Sequence, residues 1–130
     1  ESIDRVFLGD WAMKSDNGAC FPVEQPDIEQ LRADRFEISP TGPLFGSRAP
    51  WATGEPGEIE RAVVAELGTT PELLSSAGAE CGFRGERRAL RVRLNDLTWS
   101  LEGAVLTLGF WLPPGSYATS VLREVVKSND

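Results

Sequence analysis

The run LTWSLEGAVLTLGFWL, residues 97–112, limits the fold more than any other stretch of the chain. In its second half Leu106, Leu108, Phe110 and Leu112 alternate with Val105, Thr107, Gly109 and Trp111. A period of two puts alternate side chains on opposite faces of an extended strand. Both faces are largely apolar, which predicts an interior strand or one covered by a helix, with Phe110 and Trp111 in the core. A turn at Glu102-Gly103 would fold the run into a hairpin. Pro113-Pro114 then ends the ladder, since neither residue can donate a backbone hydrogen bond. Beyond it the period changes: Ala118, Val121, Leu122 and Val125 fall at i, i+3, i+4 and i+7, the pattern of an amphipathic helix.

The rest of the chain reads as a mixture. VFLGDWAMK and GACFPVE are short strands around an SDNG turn. QPDIEQLRADR is a short helix with Ile28, Leu31 and Arg32 at helical spacing. FEISPTGPLFGSRAPWATGEPGE, rich in Gly and Pro but seeded with apolar residues, reads as a packed loop. EIERAVVAELG is a helix with a face of Ile59, Ala62, Val63, Glu66 and Leu67, stopped by Gly68. TTPELLSS begins a second short helix, with Thr70 as cap and Pro71 in the first turn. ALRVRL alternates Leu90, Val92 and Leu94 with Arg91 and Arg93, a strand with one buried and one charged face. The fold class is α+β, a mixed or antiparallel sheet with a few helices that ends in an amphipathic helix.

Composition narrows the chemistry. The 130 residues are the size of one domain. The absence of histidine removes the Ser-His-Asp triad, imidazole metal sites and the usual neutral-pH base. Cys20 and Cys81 stand 61 positions apart and fit no metal-binding spacing; the sequence allows a disulfide without forcing one, and the favoured reading is reduced structural thiols of a cytoplasmic protein. No cofactor and no metal is called for. No stretch of about 18 apolar residues suggests a membrane span, and no signal peptide is legible. The chain begins at Glu1 without methionine, as a piece of a longer protein would.

The net charge of -7 argues against general nucleic-acid binding. It is unevenly placed, however. Residues 1–80 carry 6 Lys+Arg and 15 Asp+Glu, a net of -9, and residues 81–130 carry 7 and 5, a net of +2. Arg84, Arg87, Arg88, Arg91 and Arg93 crowd one segment, which suits RNA contact over a small area or a solvated, salt-bridged face.

The corner PPGSYATS is the second candidate. Gly115 permits a tight turn, Ser116 is a preferred N-cap, and the helix start offers free N–H groups and a positive dipole end. Tyr117, the only tyrosine, stands where a ring could stack on a nucleobase. Local physics also accommodates a plain corner in which Ser116 caps and Tyr117 packs.

The residues of this corner carry a resemblance. FWLPPGSYATSVLRE resembles the signature F-x-L-P-x-G-S-aromatic-A-T-S-hydrophobic-hydrophobic-R-E of the TruD family of tRNA pseudouridine synthases. Three more stretches agree in order. LGDWAMKSDNGACFPVE is similar to the G-D strand pair of the domain inserted in TruD enzymes, ISPTGPLFG to its P-T-G-P-L-aromatic-G loop, and GFRGERRALRV to the segment that rejoins the catalytic sheet.

The resemblance implies that residues 1–80 are part of the insert domain. It implies that residues 81–130 are the C-terminal part of the catalytic domain, a partial pseudouridine synthase sheet closed by the last helix. It implies a uridine pocket to which Tyr117, Ser116 and Gly115 contribute. Beside it, the arginine cluster reads either as tRNA phosphate contact through Arg87, Arg88, Arg91 and Arg93 or as a solvated, salt-bridged face. Where other pseudouridine synthases carry an arginine in this corner, Thr119 stands here. The family's catalytic aspartate lies in a G-x-K-D-x-x-A-x-T motif, and this sequence contains no Lys-Asp pair, so no catalytic residue is assigned.

The expected function is that of a C-terminal fragment of such an enzyme, inactive alone and binding tRNA weakly. Its partner would be the missing N-terminal half, or a second copy joined through an exposed sheet edge. The alternative is a stand-alone, non-catalytic RNA-binding or assembly module derived from the family. A small carboxylate enzyme has no supporting motif. Arg123 and Glu124 read as structural.

Overall fold

Turn chemistry near the start of the chain produces a hairpin. β1 (Trp11–Lys14) pairs antiparallel with β2 (Cys20–Pro22), and Asn17 Oδ1 in the SDNG turn accepts the Ala19 N–H at 2.9 Å. The structure, a computed structural model, describes residues 3–126. These fall into two units, one running to Arg91 and one beginning at Val92. The first holds a four-stranded sheet in the order β2-β1-β3-β4, with β3 at Ile38–Leu44 and β4 at Glu86–Ala89. Three helices accompany it: α1 (Pro26–Asp34), α2 (Gly54–Glu66) and α3 (Pro71–Glu80).

β3 corrects the expectation of a loop. Pro40, Gly42 and Pro43 lie within it, yet it occupies an inner position. The ladders explain this. Ile38 to Pro40 pair with β1, whereas Thr41 to Leu44 pair with β4. Each proline therefore has a ladder partner on one side only, and a missing N–H disrupts little. Pro40 still serves as an acceptor, taking the Leu90 N–H at 2.9 Å.

The segment ALRVRL is likewise not the expected strand. β4 ends at Ala89, and no strand resumes until β5 at Asn95. Arg91 is held instead by the end of α1. That helix closes with the Glu37 N–H on Arg32 O at 3.0 Å and the Phe36 N–H on Ala33 O at 2.9 Å. This closure needs a left-handed residue, usually Gly, and Phe36 supplies it at φ 59. The Arg91 guanidinium lies 4.3 Å over the Phe36 ring. It also donates to the carbonyls of Ala33 and Ile38, which holds the strained residue in place.

Both amphipathic helices of this unit turn a face inward that their apolar spacing did not indicate. In α1, Ala33 is buried while Ile28 and Leu31 are exposed. In α2, Pro56, Gly57 and Val64 are buried, whereas Ile59, Val63 and Leu67 reach solvent. The reason lies with Glu60, one turn before Val64. Its carboxylate meets Arg87, whose side chain is 1% exposed, at 2.7 Å. The pair holds the Glu60 face of α2 inward. α2 ends as expected at Gly68, with the Thr69 N–H on Val64 O and the Gly68 N–H on Ala65 O.

The small core comprises Val6, Ala12, Val23, Ala33 and Ile38, with Phe21 against it. α3 starts at Thr70, whose hydroxyl accepts the Leu73 N–H. It runs past the expected short helix to Glu80 because its small residues allow close approach. A Cβ on Gly78 would stand 2.6 Å from the Ser47 nitrogen, and one on Gly46 would stand 2.4 Å from the Gly85 nitrogen.

The second unit is a hairpin of β5 (Asn95–Glu102) and β6 (Val105–Trp111), followed by α4 (Ala118–Val126). The hairpin forms where expected, but its turn is Gly103-Ala104, one residue later than anticipated, because Glu102 pairs with Val105. Gly103 at φ 60 in the first turn position suits a type II′ turn. A bulge between Asn95 and Thr98 places Asp96 at φ 52. Trp99, Leu101, Leu106, Leu108 and Phe110 share one face by register. Trp111, expected in the core, is 72% exposed, and Trp99 is 70% exposed. α4 has no buried residue.

Two outcomes follow. Glu60→Ala leaves Arg87 buried without its counter-ion and lowers the unfolding free energy in urea by about 3–5 kcal/mol, whereas Glu60→Leu with Arg87→Met recovers most of that loss. Gly78→Ala destabilises the protein in the same measurement, although alanine is the better helix former by about 1 kcal/mol, because the added methyl meets backbone.

Candidate functional site

The corner between β6 and α4 is shaped by its backbone. Gly115 sits at φ 84, a conformation that side chains rarely adopt. The Ser116 N–H donates to Pro113 O at 3.2 Å, and the Ser120 N–H to Tyr117 O at 3.0 Å. The helix begins at Ala118, so Tyr117 occupies the cap position expected for Ser116. Ser116 lies one residue earlier and is half-buried. Tyr117 is 71% exposed. The corner thus offers an uncovered aromatic ring at the start of a nine-residue helix.

The structure places the four arginines expected at RNA in different surroundings, two tied inward and two exposed. Arg87 is buried at 4% exposure. Its Nε donates to Thr41 Oγ1 at 2.9 Å, Nη2 to Thr41 O at 2.8 Å, and Nη1 to both Pro50 O and Glu60 Oε1. It is a strut whose hydrogen bonds go to Thr41, Pro50 and Glu60 within the first unit. Arg91, half-buried, donates to Ser39, Ala33 and Ile38 and stacks on Phe36. It too is tied to the interior. Arg88 and Arg93 are exposed, Arg88 on β4 opposite Gly42 in the first unit and Arg93 in the second.

The sequence did not reveal what Arg87 supports. Residues 45–52 form a pinned loop. Pro50 O accepts from Arg87, and Glu60 Oε2 accepts the Ala52 N–H at 3.0 Å. Trp51 O accepts from Trp11 Nε1 at 3.1 Å. The Phe45 and Trp51 rings stack with centroids 4.8 Å apart. The Ser47 and Arg48 N–H groups donate to the carbonyls of Phe83 and Arg84 at 3.1 and 2.8 Å. Arg61 reaches over the Trp51 ring. Glu60 and Arg87 are 27 positions apart and Arg48 and Arg84 36, too far for any periodicity to link them.

The first unit also carries two concavities. One, of about 370 Å³, lies beside Pro40, Pro43, Ile59, Val63 and Leu90. The other, of about 650 Å³, lies beside Phe7, Pro22 and the start of α2. Cys20 is half-buried and Cys81 exposed, both as free thiols, and burial pushes the Cys20 thiol up. Among the described residues no group of three or more Cys, Asp or Glu could hold a metal ion, and no helix is long and apolar enough to cross a membrane.

Comparison with known proteins matches residues 1–125 to the family tRNA pseudouridine synthase D (TruD). The tRNA pseudouridine synthase D of Geobacter sulfurreducens is 51% identical over 98% of this chain, and that of Thermus thermophilus is 50% identical over 95%. The chain spans 31% and 33% of their lengths. Among solved structures, a putative tRNA pseudouridine synthase D from Methanosarcina mazei superposes with a TM-score of 0.75 at 27% identity, covering 98% of this chain and 32% of that one. With the hairpin, the PPGSYATS corner and the α+β architecture all in place, the chain belongs to the TruD family and represents about a third of such a protein.

Proposed function

We propose that this chain is the C-terminal portion of a TruD-type enzyme that isomerises uridine to pseudouridine in tRNA. In this reading residues 1–80 complete the insert domain and residues 81–130 complete the catalytic domain, with β4 as the strand where the chain rejoins from one to the other. Tyr117 forms a wall of the uridine pocket, with Gly115 and Ser116 shaping the same corner. The observation that carries the reading is the PPGSYATS corner with its exposed ring, set within a match that covers nearly the whole chain.

The chain's partner is then the remaining part of the enzyme, and its substrate is tRNA in the cytoplasm. A two-stranded hairpin is marginal in water by itself, and this one exposes Leu97, Trp99, Leu101, Val105 and Trp111. That supports a piece of a larger sheet over a stand-alone module. The catalytic aspartate belongs to the part of the enzyme that this sequence does not contain, and Tyr117 acts by stacking on the base rather than by proton transfer.

The test uses unmodified tRNA transcripts. The chain alone forms no pseudouridine. Installed in place of the matching third of the Geobacter sulfurreducens protein, it supports pseudouridine formation. In that chimera Tyr117→Ala lowers kcat/KM by about 5- to 150-fold, the equivalent of about 1–3 kcal/mol for one stacked base, while Tyr117→Phe stays near the parent. Turnover by the chain alone, or an unimpaired Tyr117→Ala chimera, contradicts the proposal.

A further inference from the structure

Of the arginines that the fold presents to solvent around the loop of residues 45–52, only Arg84 belongs to the segment that the sequence crowds with arginine. Arg48 is exposed on the loop itself. Arg84 is exposed and joined to it backbone to backbone, with the Arg48 N–H on Arg84 O at 2.8 Å. Arg61 is exposed on α2 and lies over the ring of Trp51, three residues along the same loop. Neither Arg48 nor Arg84 has an ion-pair partner among the described residues. The carboxylate of Glu60, next to Arg61 in sequence, is paired with Arg87. Phe83, 49% exposed, sits beside Arg84 and accepts the Ser47 N–H through its carbonyl.

The support under these groups is rigid. Gly46, Gly78 and Gly85 bring three backbones together with no room for a side chain, and Arg87 and Glu60 pin the far end of the loop at Pro50 and Ala52. A guanidinium on a fixed loop loses less freedom on binding than one on a mobile loop, and its planar fork suits phosphate oxygens. Three such groups from three distant parts of a chain of net charge -7 make a local exception to its overall repulsion of polyanions.

We propose that Arg48, Arg61 and Arg84 form a phosphate-contacting ledge for the backbone of tRNA. The ledge rests on the reading of the chain as part of a tRNA-modifying enzyme and adds a contact surface in the first unit, built from residues other than those of the Tyr117 corner. Arg87 is a positioning residue for it, acting through the loop.

The experiment measures binding of an unmodified tRNA transcript to the full 130-residue chain by fluorescence anisotropy, from 50 to 200 mM salt. Three proteins are compared: the parent, Arg48→Gln/Arg61→Gln/Arg84→Gln, and Arg35→Gln, which alters an exposed arginine at the end of α1. The triple variant is expected to bind at least about tenfold more weakly at 50 mM. Its log K against log salt slope should be shallower by about 2 to 3, near 0.7–0.9 per lost phosphate contact. Arg35→Gln should follow the parent, and circular dichroism should show all three folded alike. A triple variant with the parent's affinity and slope overturns the ledge and leaves the enzyme reading standing. A parent chain with no salt-dependent tRNA binding at 50 mM also overturns the ledge, and the chimera's activity then decides the enzyme reading separately.

Discussion

A guanidinium whose side chain is 1% exposed must have its charge answered where it lies, and in this protein Glu60 answers it at 2.7 Å. Much of the first unit depends on that pairing. Arg87 joins β4 to β3 through Thr41, whose hydroxyl passes the connection on to Trp11 O of β1 at 2.6 Å. It reaches the loop through Pro50, and Glu60 reaches the same loop through Ala52. One buried pair thereby links three strands, a helix and a loop. The attraction of a buried pair roughly balances the cost of taking both ions out of water. Its main contribution is therefore to specify an arrangement rather than to add net stability. The loss of one partner alone exposes how much rests on it.

The parts of the fold legible in the sequence are those set by neighbours along the chain. The β1–β2 turn, the stop at Gly68, the Thr70 cap, the C-terminal hairpin and the corner into α4 all follow from local chemistry. β3 was not legible because its prolines are tolerated only by the way two half-ladders share it. The inward faces of α1 and α2 were hidden for a different reason. Apolar spacing points to Ile59, Val63 and Leu67, whereas a buried arginine 27 residues away turns Glu60 inward. Arg91 reads as one rung of a charged strand face, but it is held by a helix end and a strained phenylalanine.

The candidate site divides in the same way. Gly115, Ser116 and Tyr117 are adjacent in sequence, and the corner they form is set by a glycine at positive φ and by turns closed within a few residues. Local chemistry alone therefore makes this corner legible in the sequence. The arginines are not legible in that way, because crowding along the chain says nothing about which guanidinium goes inside. Alternation in β4 puts Arg87 and Arg88 on opposite faces, and the inner one is claimed by Glu60 and Thr41. The surface that remains is assembled from residues 48, 61 and 84, which only the fold brings to one loop.

The central claim is that the Arg87–Glu60 pair holds the loop of residues 45–52 as a unit. Native-state hydrogen exchange on Glu60→Gln tests it most directly. The Ala52 amide bonds Glu60 itself, whereas the Ser47 and Arg48 amides bond carbonyls elsewhere. The account predicts that all three lose protection together and by a similar factor. Faster exchange at Ala52 alone, with Ser47 and Arg48 as slow as in the parent, would contradict it.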